Sequence, residues 1–191
     1  MPKIKPFKGV RAATDIAAHL ISRTYQDYGK KELKAQLNYN PYSFLQILNP
    51  GYRFKQEVSG VDRFNLVRNR YLEFKEEGYL IQDQQPAFYV YENKDPHHSY
   101  TGIIASTSTQ DYVENKIKIH EDTLSDKEII FKDYLKFAGL NAEHVLLTYE
   151  DRPRIDEIIK RVKLQRPDEF FSTTDFNSHK LWAVTDPEIL K

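Results

Sequence analysis

Apolar residues recur every three or four positions between residues 61 and 74, and this stretch carries the clearest helical pattern in the chain. The positions that share one helical face are Val61, Phe64, Val67, Tyr71 and Phe74. Arginine and lysine side chains occupy the other faces, and Gly78 follows as a residue that can end a helix. The pattern therefore predicts an amphipathic helix that packs against another element.

Capping residues and apolar spacing predict further helices elsewhere. Thr14 or Asp15 can cap a short helix that runs through Leu20, and a second helix is predicted over residues 30–37. Another helix is expected to begin near residue 125, where Ser-Asp-Lys-Glu fits a capping box, and to end near Gly139. Pro153 stands at a position typical of the first turn of a last helix.

Runs rich in β-branched and aromatic residues predict two antiparallel hairpins. Residues 88–91 and 100–106 are joined by a turn-forming Asn-Lys-Asp-Pro stretch. Residues 169–174 and 180–184 flank a second turn-forming stretch, Asp-Phe-Asn-Ser. Each pair of runs therefore predicts neighbouring strands of one sheet.

Three further runs are interpreted as strands. These runs are residues 4–10, residues 43–48 before an Asn-Pro-Gly turn, and residues 143–149. Because hairpins and helices alternate, the fold class is predicted to be α+β, with a mixed, largely antiparallel sheet packed by several helices. We expect hairpins at about residues 87–106 and 168–185, within a single domain covering residues 1–191.

Composition narrows the possible partners and the compartment. Because 28 basic residues balance 28 acidic residues, no net positive charge attracts nucleic acid or an anionic membrane. No apolar run is long enough to span a bilayer, and the first residues do not resemble a signal peptide. The absence of cysteine agrees with a reducing compartment. We therefore expect a cytoplasmic protein without nucleic-acid or membrane partners; the sequence leaves its oligomeric state open.

The segment His-Glu-Asp-Thr at residues 120–123 is the strongest candidate for chemistry, because it directly precedes a predicted helix N-terminus. Free N–H groups, the hydroxyl of Thr123 and the ammonium of Lys127 could hold a phosphate there. His120 and Glu121 are the candidate catalytic residues. The alternative reading is a polar helix cap, since three nearby acidic residues repel an anion.

Other kinds of site are not supported by the sequence. His120-Glu121 lacks the second histidine one turn later that a zinc protease requires, and His97 and His98 are adjacent, so they would point to opposite faces of a strand. No Gly-rich phosphate loop and no Gly-x-Ser-x-Gly element is present. We therefore expect no metal site.

An ordered series of short motifs gives the chain a family resemblance. The motifs are PKIKPF at residues 2–7, NPYSFL at 40–45, GIIA at 102–105, KIHEDT at 118–123, TYED at 148–151 and HKLW at 179–182. Their succession resembles the N-terminal half of a prokaryotic family called domain of unknown function 1015. Members of that family are usually about twice as long, so we expect this chain to be a truncated or naturally short relative.

The resemblance also implies a ligand class. The half that normally follows opens with an Ala-Asp-Gly-His-His-Arg segment, which is similar to the phosphate-binding motif of sulfiredoxins, chromosome-partitioning nucleotidases and a free-serine kinase. The full-length protein is thus expected to bind a nucleotide, with Mg²⁺, or another phosphorylated small molecule, and to act as a small-molecule kinase or nucleotidase. The alternative is a non-catalytic binding or assembly module.

Overall fold

The computed structural model describes residues 2–23, 28–52, 58–118, 125–141, 144–173 and 176–189, without the side chains of residues 125–127. The chain divides into two compact units. Unit A comprises Met1–Thr14, Gln82–His120 and Val145–Lys191, and unit B comprises Asp15–Ile81 and Glu121–His144. That the chain folds as one domain stays a prediction.

Helices and strands alternate along the described residues. The strands are β1 (Ile4–Lys5), β2 (Val10–Ala12), β3 (Leu80–Gln82), β4 (Phe88–Lys94), β5 (Ser99–Ile104), β6 (Ser106–Thr107), β7 (Glu169–Ser172) and β8 (Ser178–Val184). The helices are α1 (Ala17–Leu20), α2 (Lys30–Tyr39), α3 (Leu45–Leu48), α4 (Gly60–Glu76), α5 (Thr109–Val113), α6 (Ser125–Asp133) and α7 (Pro153–Lys163). None of these helices is long and apolar enough to cross a bilayer.

A four-stranded antiparallel sheet with strand order β5-β4-β8-β7 forms the centre of unit A. Both predicted hairpins are confirmed, because β4 pairs with β5 and β7 pairs with β8. In β4, Tyr89 lies opposite Ile104 of β5 and Ala183 of β8. The predicted α+β class with an antiparallel sheet is therefore confirmed.

Helix α7 covers one face of this sheet. Val162 of α7 is buried together with Val90, Trp182 and Val184 of β4 and β8. These strand residues alternate with Tyr89 and its neighbours, so their side chains share the face that α7 covers. Removing this apolar surface from water is what holds α7 against the sheet. The helix begins at Pro153, as predicted.

The first strand is shorter than predicted. Residues 4–10 do not form one strand, because β1 pairs only Ile4 and Lys5 with β6 and β2 begins at Val10. Pro6 lies between them and has no N–H to donate to a sheet. Phe7 returns to the backbone of Ala87 through an isolated bridge.

Helix α4 of unit B matches its predicted position and end. Its buried residues are Phe64, Val67 and Phe74, all on the predicted face. After the helix, Gly78 adopts a left-handed φ of 76°, and the N–H of Tyr79 donates to the carbonyl of Phe74 at 2.9 Å. A residue without Cβ is therefore used to end the helix, as expected.

The other predicted helices are also formed, with small differences at their ends. Helices α1 and α2 lie at the expected positions, but the residue before α1 is Ile16, and neither Thr14 nor Asp15 caps it. Helix α6 continues as a π-helical turn, Tyr134–Ala138, and ends at Gly139 with a φ of 69°. The capping box depends on the Ser125 side chain, which lies outside the described residues.

One predicted strand is wrong, because residues 43–48 contain the helix α3. Ser43, Leu45 and Ile47 are all buried, and this alternation resembles a strand in the sequence. The Ser43 hydroxyl instead accepts a hydrogen bond from the N–H of Leu45 at 3.3 Å, and its carbonyl accepts from Gln46 at 2.9 Å. These local bonds favour a turn that leads into a helix.

The strand predicted at residues 143–149 is not formed in the described part of the chain. Residues 144–149 carry no strand pairing there, and Glu143 lies outside the described residues. A run with strong β propensity becomes a strand only when a neighbouring strand supplies hydrogen bonds.

Candidate functional site

The residues predicted to form the site are mostly not described. His120, Glu121 and Thr123 lie outside the described residues, and so does the side chain of Lys127. The backbone of Lys127 lies in the first turn of α6, which begins at Ser125. These roles therefore stay predictions.

Within unit A, a polar cavity of about 250 Å³ lies where α7 and β8 end. We call this cavity the α7 recess. Its polar side chains are Arg161, Gln165, Arg166, Asp168, Thr185 and Asp186, and Trp182 and Ile189 are among its apolar lining residues.

Hydrogen bonds between distant parts of unit A fix one wall of the α7 recess. The buried indole N–H of Trp182 donates to the carbonyl oxygen of Gln165 at 3.0 Å, which holds the turn after α7 against β8. The carboxylate of Asp168 accepts from the N–H of Ala183 at 2.8 Å, and the N–H of Asp168 donates to the carbonyl of Leu181 at 2.9 Å. These bonds join the segment that follows α7, residues 165–168, to strand β8.

The opposite wall is a turn that follows β8. The carboxylate of Asp186 accepts from the N–H of Glu188 at 2.9 Å, and the Asp186 carbonyl accepts from the N–H of Ile189 at 3.0 Å. Each acidic side chain of the recess therefore already has a backbone donor.

The arginine side chains of the α7 recess, unlike its aspartate side chains, have no hydrogen-bond partner among the described residues. Both Arg161 and Arg166 are exposed, and within the described residues neither guanidinium makes an ion pair or a hydrogen bond. Arg161 lies in the last turn of α7, where a positive charge is favoured by the helix dipole. Two guanidinium groups beside one polar cavity can bind an oxyanion through paired N–H donors.

A second polar cluster in unit A is centred on Arg11, and we call it the Arg11 network. The Arg11 guanidinium donates to Asp83 through Nη2 at 2.8 Å and Nε at 3.1 Å, and to Glu169 through Nη1 at 3.1 Å. The hydroxyl of Tyr89 donates to Asp83 at 2.5 Å and accepts from the N–H of Gly9 at 2.7 Å. A Cβ at residue 9 would lie 2.6 Å from that hydroxyl oxygen, so this approach requires glycine.

The pKa values of Tyr89 and Glu169 in the Arg11 network are raised, and the pKa of Asp83 is lowered. Burial, and next the hydrogen bond to Asp83, raise the pKa of Tyr89 to about 12, so its hydroxyl keeps its proton. Burial works to raise the pKa of Asp83, but the bonds from Arg11 and Tyr89 outweigh it and hold that pKa below its usual value. Burial raises the pKa of Glu169.

The Arg11 network has the properties of a structural tie. It joins the segments around residues 9–11, 83–89 and 169, and its arginine donors are already used by carboxylates. The sequence gives no signal for it, because Arg11 is 72 residues from Asp83 and 158 residues from Glu169.

Glu92 forms a third polar cluster on the face of the sheet that α7 covers. Its buried carboxylate pairs with Lys163 of α7 and, at 3.2 Å, with Lys180 of β8. Burial opposes the ionisation of Glu92, but hydrogen bonds from the two lysines outweigh it and lower its pKa. This cluster fixes the C-terminal part of α7 to the sheet.

Among the described histidines, His179 packs into the sheet, and His97 and His98 lie in a turn. The ring of His179 stacks on Phe171 at 4.8 Å and bonds the Tyr91 hydroxyl at 2.7 Å. His97 and His98 lie in the β4–β5 turn, where their N–H groups donate to the Asp95 carboxylate. No group of three or more His, Cys, Asp or Glu side chains within the described ranges is placed to hold a metal ion.

The fold and the recess define an α+β protein with a polar cavity at one end of an antiparallel sheet. A family model described as "Protein of unknown function (DUF1015)" matches residues 4–191, and the chain belongs to this family. Searches of the curated proteins and of the solved structures each gave no significant match.

Proposed function

We propose that this chain is part of a cytoplasmic protein that binds a phosphorylated small molecule in the α7 recess. The observation that carries the proposal is that two arginines, Arg161 and Arg166, line the cavity and have no acidic partner among the described residues. An arginine presents its N–H donors in a planar fork that matches two oxygens of a phosphate.

The charge of the recess is compatible with an anion. Two arginines and two aspartates line it. Both aspartate carboxylates already accept backbone hydrogen bonds, which spread part of their charge onto the backbone. The arginine donors therefore remain for a ligand.

The predicted catalytic segment is a separate proposal that does not depend on the α7 recess. At that segment, His120 and Glu121 would act on a phosphorylated substrate, with Glu121 as a general base and His120 donating to a developing oxyanion. Thr123 and Lys127 would bind phosphate oxygens at the start of α6. The reaction class is then phosphoryl transfer to a small molecule or nucleotide hydrolysis. The described residues supply no set of ligands for the accompanying Mg²⁺.

The alternative, a non-catalytic binding module, is favoured by a cavity in unit B. A cavity of about 530 Å³ is lined by His19, Tyr39, Pro41 and Tyr42, among other residues. Tyr39 is 85% exposed, which is unusual for a large aromatic side chain and typical of recognition surfaces. Such a module would bind its partner without phosphate dependence.

A thermal-shift panel tests the ligand class. It should contain nucleotides, sugar phosphates and pyrophosphate, each beside its unphosphorylated counterpart. A ligand that binds only the folded chain at 100 times its Kd stabilises it by about 2.7 kcal/mol, which raises the Tm by several degrees. We expect shifts with phosphorylated compounds only. Equal shifts with adenosine and with adenosine phosphates would contradict the phosphate proposal.

The two proposals are separated by variants. The double variant R161Q/R166Q should lose the shift, whereas R154Q, which changes an exposed arginine at the other end of α7, should keep it. E121Q should keep ligand binding in the recess and lose any turnover. If R154Q and R161Q/R166Q behave alike, the α7 recess is not the binding site.

A further inference from the structure

The strand-forming run at residues 144–150 lies without a strand partner in the structure. Val145 is 83% exposed and Leu146 is 90% exposed. Among the residues that the structure describes, the backbone groups of this run make no hydrogen bond to another segment. An exposed apolar run with free N–H and C=O groups is a template on which a second strand can pair.

The run has the two-residue period of a strand with one apolar face. Its apolar face would carry Val145, Leu147 and Tyr149, and its other face would carry His144, Leu146, Thr148 and Glu150. The run thus carries a β-branched and an aromatic residue on one face, with an imidazole at its first position and a carboxylate at its last.

We propose that residues 144–150 pair antiparallel with the same residues of a second copy of this chain, in a register centred on Leu147. A two-fold axis would pass beside Leu147, so that each strand presents the same surface to the other. Such pairing satisfies the N–H and C=O groups along one edge of each run and places the two apolar faces side by side on the same side of the two-stranded ribbon.

The sequence of the run is complementary to itself in this register. Val145 lies opposite the partner's Tyr149, which is a favourable pair of a β-branched and an aromatic side chain. His144 lies opposite the partner's Glu150, and the two-fold axis repeats this pairing of an imidazole N–H donor with a carboxylate acceptor. A shift of the register by one residue would place apolar and polar faces together. This self-complementarity favours a second copy over an unrelated partner.

Cysteine cross-linking tests the register, because the chain contains no cysteine of its own. In L147C the two thiols would lie across the axis, where directly opposite Cα atoms are about 4.5–5.5 Å apart, within disulfide range. In L146C the residue opposite is the partner's Thr148, so the two thiols are not paired. We expect L147C to form a disulfide-linked dimer much faster than L146C under mild oxidation. Equal rates would overturn the proposal.

Charge reversal tests the pairing of His144 with Glu150, and sedimentation velocity at pH 6 measures the dimer. We expect the unaltered chain to form a dimer whose population rises with concentration. H144E places two carboxylates opposite one another twice per dimer and should weaken the dimer roughly tenfold, and E150K removes the carboxylate that faces each His144 and should weaken the dimer less. The double variant H144E/E150K restores opposite charges and should return the dissociation constant toward that of the unaltered chain. A chain that stays monomeric at all concentrations, or a double variant weaker than both single variants, would refute this pairing.

Discussion

Two arginines of unit A, Arg11 and Arg161, have opposite surroundings. The guanidinium of Arg11 is shared between Asp83 and Glu169, which connect it to distant segments of the unit. Arg161 lines a polar cavity, and its guanidinium has no acidic partner among the described residues. The N–H donors of Arg11 are used by contacts within the fold, whereas those of Arg161 remain available to a ligand. We therefore expect that replacing Arg11 lowers the stability of the fold and that replacing Arg161 weakens ligand binding.

Replacing Arg11 should have the largest effect on stability. Arg11→Met keeps the length of the side chain but leaves Asp83 and the buried Glu169 without their cation. We expect the free energy of unfolding to fall by about 2–3 kcal/mol. This loss is smaller than for a fully buried ion pair, because Arg11 is partly exposed to solvent. Urea denaturation at pH 7 measures it, with Arg161→Met as the matched control. Equal losses in both variants would remove the contrast between the two arginines.

Removing the hydroxyl of Tyr89 should have a smaller effect. Tyr89→Phe retains the ring contact with Phe7, whose centroid lies 5.1 Å away, but deletes the bonds to Asp83 and to the N–H of Gly9. We expect a loss of about 1–2 kcal/mol, because a backbone donor and a carboxylate lose a partner. The same denaturation experiment applies. An unchanged midpoint would show that the hydroxyl does not support the Arg11 network.

The pH dependence of stability should differ in sign between the two carboxylates of the Arg11 network. Burial raises the pKa of Glu169 in the folded chain, so the stability that its protonated form provides is lost as the pH rises through that pKa. Glu169→Gln cannot ionise, so the stability of this variant relative to the unaltered chain should improve as the pH rises above the usual glutamate pKa of about 4.3.

Asp83 should show the opposite trend. Burial alone would raise its pKa, but the bonds from Arg11 and Tyr89 lower it, so the stability it provides is present at neutral pH and lost on acidification. Asp83→Asn should therefore be most destabilised near neutral pH and approach the unaltered chain in acid. Unfolding curves for both variants across the same pH range check the two signs, and parallel curves would contradict them.

The arginines of the recess should have the smallest effect on stability. Both are exposed, and their side chains make no hydrogen bond within the described part of the chain. R161Q/R166Q should change the free energy of unfolding by less than about 0.5 kcal/mol, as surface substitutions usually do. A larger loss in urea denaturation would mean that these arginines support the fold.

The elements that could be predicted from the sequence are those with local signals. The helix α4 and the two hairpins follow from spacing, turn residues and Gly78. The strand predicted at residues 43–48 was wrong, because burial of alternate residues occurs in a short helix as well as in a strand. The first strand is split at Pro6, which has no N–H to donate to a neighbouring strand.

The polar sites were harder to predict, because their members come together only in the folded chain. Arg11, Asp83 and Glu169 are far apart in sequence and match no motif. Arg161 is a basic residue at a helix end, which the helix dipole alone explains, and Arg166 follows it at no diagnostic spacing. The segment that did carry a sequence signal, His120 to Thr123, lies outside the described residues and stays a prediction.

Isothermal titration calorimetry with pyrophosphate tests the central claim most directly. The unaltered chain and R154Q should each bind one pyrophosphate with the same affinity, because Arg154 is remote from the α7 recess along the helix. R161Q/R166Q should bind at least about tenfold more weakly, since each lost charged hydrogen bond costs about 1.5–3 kcal/mol. Equal binding by all three proteins, or no binding by the unaltered chain, would contradict the claim that the recess holds a phosphorylated ligand.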